Sequence, residues 1–93
     1  MTRVRFTALL GQRIGGGISF VDVPAATVAG ALRALTDQYP AVTRLVWAEE
    51  NVLNPMMAVF LNDHLLTENE LNAAVNPGDQ IDIVQAVSGG GIS

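Results

Sequence analysis

Polar and apolar residues alternate along Arg3-Val4-Arg5-Phe6, the period of two that marks a strand with one buried face, and the segment runs on through Thr7-Ala8-Leu9-Leu10. Gly11 to Gly17 reads as turn material. Alternation returns at Ile18-Ser19-Phe20-Val21-Asp22-Val23, with Ile18, Phe20 and Asp22 on one side and Ser19, Val21 and Val23 on the other. These two segments predict an N-terminal hairpin around a long glycine-rich loop.

After Pro24 the period changes. Val28, Ala31, Leu32, Leu35 and Tyr39 form a single helical stripe. Thr27 fits an N-cap whose hydroxyl takes an orphan backbone N–H, and Pro40 stops the helix. Gly30 inside it suggests close packing on a sheet. The stretch from Ala41 to Asn54 gives no clear period: Leu45-Val46-Trp47 suits a short helical turn or a strand, and Glu49-Glu50-Asn51 suits an exposed loop. Met56 to Leu61 predicts a buried strand and Asn62-Asp63-His64 a turn into Leu65-Leu66. Thr67 and Glu70 have capping-box spacing, Pro77-Gly78-Asp79 is a tight turn, and Ile81 to Val87 is a last strand. One long helix among several strands makes the fold class α+β.

Composition narrows the function more by exclusion than by indication. A chain of 93 residues with 49% apolar residues is expected to form one packed domain. It has no apolar run long enough to span a bilayer and no secretory signal pattern, so no membrane role and a cytoplasmic location are expected. Without cysteine there is no disulfide, thiolate metal site or cysteine nucleophile. The net charge is −4 and the five cations, all arginine, form no basic stripe, so no nucleic-acid partner is expected. Lysine is absent, so no ε-amine of one copy can accept an activated carboxyl group of another.

No catalytic constellation appears. His64 has no second histidine or cysteine to complete a site and reads as a solvated turn residue. Glu49 with Glu50, and Glu68 with Glu70, are paired only along the chain and read as exposed positions. Trp47 reads as a packing residue. In the last strand Asp82 should face water, because an unpaired buried carboxylate is costly. Period two then puts Val84 and Ala86 on that outer face and turns Ile81 and Ile83 inward. Met56 and Phe60 are candidates to extend this apolar face into a docking patch.

The chain ends in Ser88-Gly89-Gly90-Gly91-Ile92-Ser93, and Gly-Gly-Gly-Ile-Ser also occurs at 15–19. Glycine lacks a Cβ, so a glycine tail can lie in a channel too narrow for other residues. This divides the chain into a domain at 1–87 and a flexible tail at 88–93. The helix from Thr27-Val28 to Tyr39-Pro40, the segments Val59-Phe60-Leu61-Asn62-Asp63 and Pro77-Gly78-Asp79-Gln80-Ile81, and the close Ala86-Val87-Ser88-Gly89-Gly90 together resemble the MoaD/ThiS family of sulfur carriers. Gln85 stands where that family often has proline.

The resemblance implies a ubiquitin-like β-grasp fold, a mixed sheet of about four to five strands packed on one long helix. It also implies a carrier rather than an enzyme. Ordinary members stop at Gly-Gly, whereas this chain continues, which resembles carriers made as precursors and trimmed by a JAMM-type zinc metalloprotease. Aligning Val87-Ser88-Gly89-Gly90 with the family's end makes Gly90 the mature terminus, with Gly91, Ile92 and Ser93 removed; sliding by one makes it Gly91. A ubiquitin-activating-type adenylyltransferase would adenylate that glycine with its own ATP and Mg²⁺, and a sulfur donor would convert it to a thiocarboxylate for a sulfur-accepting biosynthetic enzyme. The alternative is a ubiquitin-like modifier conjugated through the same glycine. The chain itself is expected to bind no cofactor and no metal.

Overall fold

A computed structural model describes residues 1–50 and 52–85. Strand β1 (Thr2–Phe6) buries Thr2, Val4 and Phe6 and exposes Arg3 and Arg5, as its alternation requires. Helix α1 (Ala8–Ile14) follows, then β2 (Phe20–Val23), α2 (Val28–Gln38), a 3₁₀ turn at Pro40–Val42, α3 (Thr43–Val46), the short strands β3 (Trp47–Glu49) and β4 (Val52–Leu53), β5 (Met57–Leu61), β6 (His64–Leu65), a 3₁₀ turn at Glu68–Glu70, and β7 (Gln80–Gln85). The main sheet has five strands in the order β2-β1-β7-β5-β6, and β3 and β4 form a separate ribbon. Within the main sheet β1 and β7 run parallel and the other pairs are antiparallel. This is the mixed β-grasp sheet expected, with α2 as its long helix.

Helix α2 buries Val28, Ala31, Leu32 and Leu35 of the expected stripe, while Tyr39 caps its C-terminus half-buried. The facing residues of the sheet are Val4, Val21, Val23, Val59, Ile81 and Ile83, in the same buried cluster. Full burial of each such aliphatic side chain contributes about 1.5–3 kcal/mol, so this layer supplies most of the drive to fold. Thr27 caps α2 as expected, its Oγ1 accepting from the Gly30 N–H at 3.0 Å.

Two expectations need correction. The segment between β1 and β2 is not an open loop: Leu9-Leu10-Gly11, assigned above to a strand end and a turn, belong to α1, and Leu10 is fully buried. Gly11 is present because a Cβ there would overlap the Ile18 carbonyl oxygen. Gly30 does not mark packing on the sheet either. The one atom a Cβ would press on is Thr27 Oγ1 at 3.1 Å, so the glycine makes room for the helix cap.

Turn chemistry sets the strand registers. Asn62 and Asp63 both have positive φ (49° and 70°), the geometry of a two-residue type I′ hairpin, and this pairs Leu61 with His64 and Phe60 with Leu65. Asn62 also ties the hairpin to the turn before β7: its Oδ1 accepts from the Gln80 N–H and its Nδ2 donates to Asp79 Oδ1, both at 3.0 Å. In that turn Pro77 precedes Gly78, whose φ is +93°, and the Asp79 N–H donates to the Asn76 carbonyl at 2.9 Å. The capping-box spacing is realised too, with the Thr67 N–H donating to Glu70 Oε1 at 2.9 Å.

Candidate functional site

Strand β7 carries the chain toward its glycines from the middle of the sheet. Val4, Arg5 and Phe6 of β1 lie opposite Ile81, Asp82 and Ile83 on one side. On the other, Phe60, Ala58 and Met57 of β5 lie opposite Asp82, Val84 and Gln85. With Ile81 and Ile83 buried, Asp82 and Val84 face outward, as expected. Gln85, the last described residue, lies opposite Met57, so the described part of β7 ends next to Met56.

The outer face there is apolar. Val84 is 39% exposed, Met56 44% and Leu65 54%, and Phe60 and Ala58 lie between them half-buried. The register makes these residues one patch, since Ala58 opposes Val84 and Phe60 opposes Leu65. Three expected docking residues, Val84, Met56 and Phe60, are therefore brought together. Ala86, Gly89, Gly90, Gly91, Ile92 and Ser93 lie outside the described residues. Leu65 was missed. The signal was the Asn62-Asp63 pair, because a two-residue turn puts residue 65 opposite residue 60.

Beside the patch the charges are paired across the strands. Arg5 Nε donates to Asp82 Oδ1 at 2.7 Å, and Arg3 Nε donates to Asp22 Oδ1 at 3.1 Å. The Arg3 guanidinium also lies 3.9 Å from the centre of the Phe20 ring, which is 42% exposed. The hydrogen bond from Arg3 holds the Asp22 carboxyl below its ordinary range. A groove of about 560 Å³ crosses this face, bordered by Arg5, Thr7, Phe60, Asp82 and Val84. The Thr7 hydroxyl is buried there with no hydrogen-bond partner among the described residues.

The residues set aside in the sequence sit apart from this face. His64 is exposed and its Nε2 lies 3.4 Å from Glu70 Oε2. Glu70 is held below its ordinary range first by the Thr67 N–H and then by His64, which is capping rather than catalysis. Glu49 and Glu50 are exposed at the β3–β4 ribbon, and Glu68 is exposed in its turn. Trp47 is buried, with the Arg33 guanidinium 5.8 Å from its ring centre. No group of three or more histidine, cysteine or acidic residues suited to a metal ion occurs among the described residues, nor is any described helix long and apolar enough to cross a membrane.

A central strand running toward Gly-Gly beside an apolar sheet face is the arrangement of a ubiquitin-like protein. The model of the ThiS family matches residues 4–90. The chain belongs to the ThiS family. That family comprises small ubiquitin-like sulfur carriers and modifiers, not enzymes. Among solved structures, small archaeal modifier protein 1 of Haloferax volcanii is 29% identical, with 95% of this chain and 97% of that one covered and a TM-score of 0.75. The modifier protein 1 of Methanosarcina acetivorans is 22% identical over 95% and 94%, with a TM-score of 0.83. A chain of the BexX/CysO complex of Amycolatopsis orientalis is 24% identical over 96% and 99%, with a TM-score of 0.81. The last two likenesses show the fold alone. No curated protein matches the chain.

Proposed function

We propose that this ThiS-family chain is the precursor of a cytoplasmic sulfur carrier whose working group is the carboxyl carbon of Gly90. The observation that carries this reading is where the family match stops: it ends at residue 90, with Gly91-Ile92-Ser93 beyond it. A JAMM-type zinc metalloprotease would hydrolyse the Gly90–Gly91 bond, the zinc being its own. The exposed carboxylate is a poor electrophile, negatively charged and without a leaving group. In a ubiquitin-activating-type adenylyltransferase it attacks the α-phosphorus of ATP, pyrophosphate leaves, and AMP becomes the leaving group; ATP and Mg²⁺ belong to that enzyme. Sulfide displaces AMP and leaves a thiocarboxylate directly; a persulfide displaces AMP to give an acyl disulfide, which a second thiol reduces to the thiocarboxylate, itself ending in a disulfide. A biosynthetic enzyme then uses the thiocarboxylate as its sulfur source.

The chain's own contribution is a tail and a face. Val84, Met56, Phe60 and Leu65 form the docking patch; Ala86, assigned to it by the alternation in the sequence, lies outside the described residues. Its ion pairs are already closed within the sheet, so the complementary surface is apolar. Solved-structure neighbours include a chain from a complex, BexX/CysO, which supports a carrier that works docked on a partner protein. The 29% identity to an archaeal modifier protein favours a second reading, conjugation of the same glycine to another protein. Intact-mass spectrometry of the chain, first trimmed by the protease and then incubated with the adenylyltransferase, ATP and sulfide, separates the two. The carrier reading expects replacement of one oxygen by sulfur at Gly90. Covalent adducts that survive denaturation and thiol reagents would instead indicate conjugation.

A further inference from the structure

The pentapeptide Gly-Gly-Gly-Ile-Ser appears both at 15–19 and at 89–93. An endopeptidase that trims the tail within the second copy meets the same five residues in the first. An exposed glycine-rich loop is ordinarily a preferred site of nicking, and Gly15, Gly16 and Gly17 are exposed.

The fold makes this copy a poor substrate. Peptides are captured at binding clefts as extended strands, but Gly15, Gly16 and Gly17 have φ of 128°, 70° and 69°, far from extended geometry. Both ends of the loop are pinned. The Gly15 N–H donates to the Gly11 carbonyl and the Phe6 N–H donates to the Ser19 carbonyl, each at 3.0 Å. Ile18 packs half-buried on the core, and its carbonyl occupies the space left by the missing Cβ of Gly11. Drawing residues 15–19 into a cleft requires both hydrogen bonds and the Ile18 packing to be given up.

We propose that Gly15–Ser19 is a second cleavage site for the tail-trimming endopeptidase, masked by folding and opened when the chain unfolds. The inference rests on the trimming reading above. At the bond corresponding to Gly90–Gly91, water adds across Gly16–Gly17: the C–N bond breaks, hydroxyl goes to the Gly16 carbonyl carbon and the proton to the Gly17 nitrogen. The cut separates β1 and α1 from the remainder. Because β1 lies between β2 and β7, a cut chain has to regain the sheet from two separate pieces, which unfolding and dilution oppose. One activity thus matures folded precursors and destroys unfolded ones.

The test uses the full-length chain, wild type and two variants, produced in its native host and followed by mass spectrometry of its fragments. Gly11→Ala places a methyl group on the Ile18 carbonyl and dislodges the loop; Val59→Ala loosens the whole core. Wild type should lose only its tail, with internal cutting about a hundredfold slower or less. Both variants should yield fragments that begin at Gly17, or at Ile18 if the tail is cut after Gly91, at least about tenfold more than wild type. Trimmed tails without register-matched internal fragments in either variant would overturn the inference and leave the trimming reading standing. So would internal cutting of folded wild type at the tail's own rate. Tails left intact in all three would overturn the trimming reading and this inference with it.

Discussion

Replacing Asn62 by alanine removes three things from one position: an acceptor for the Gln80 N–H, a donor to Asp79, and a side chain that tolerates a φ of 49°. Both hydrogen bonds are at the surface, so each contributes about 0.5–1 kcal/mol. Holding alanine in the left-handed region costs about 1 kcal/mol more. The expected loss is about 2–3 kcal/mol, which for a domain of this size lowers Tm by roughly 8–24 °C. Urea denaturation should show a lower midpoint with an unchanged slope. Asn62→Gly separates the contributions, because glycine accepts the φ and loses only the bonds; its loss should be about 1–2 kcal/mol. Asn62 does not hold this turn if Asn62→Ala lies within about 0.5 kcal/mol of wild type, and its φ carries no cost if the glycine variant is as destabilised as the alanine one.

Thr27→Ala should cost about 1 kcal/mol in the same assay, since it uncaps α2 at Gly30, and Thr27→Ser should restore most of it. Leu65→Asp and Val84→Asp should leave Tm nearly unchanged, because both side chains are already exposed. Calorimetry should nevertheless show each weakening adenylyltransferase binding at least about tenfold, and wild-type affinity should vary little with salt. Acid should destabilise the fold. Asp79 is held below its ordinary 3.8 by the Asn76 N–H and then the Asn62 amide, and Glu70 below its ordinary 4.5 by the Thr67 N–H and then His64. Groups with depressed folded pKa values contribute stability in full above their unfolded values and lose it as pH falls through the folded ones. Urea midpoints should therefore be flat above 4.5 and fall below it, less steeply in Asn62→Ala.

Most of the sheet and α2 could be read because their burial is periodic. Val4 and Phe6, Val21 and Val23, Ile81 and Ile83 alternate with exposed residues, and the α2 stripe is unbroken from Val28 to Leu35. What misled was glycine. Gly11 looks like a loop residue, yet it sits inside α1 where another segment's carbonyl approaches, and Gly30 serves its own helix cap. Residues 41–54 were opaque because each described element there is four residues or fewer, too short for a period to show. The exposed apolar patch was legible along each strand but not across strands. Val84 and Phe60 follow from alternation, whereas Leu65 depends on the positive φ values of Asn62 and Asp63.

If sulfur is loaded on a glycyl carboxyl group at position 90 that trimming releases, the chain isolated from its own cells should carry the mark. Its intact mass and C-terminal fragment spectrum should show a chain ending at Gly90, with part of the population carrying one sulfur in place of a C-terminal oxygen. A population that keeps Gly91-Ile92-Ser93 throughout, with no sulfur at Gly90, would rule this out.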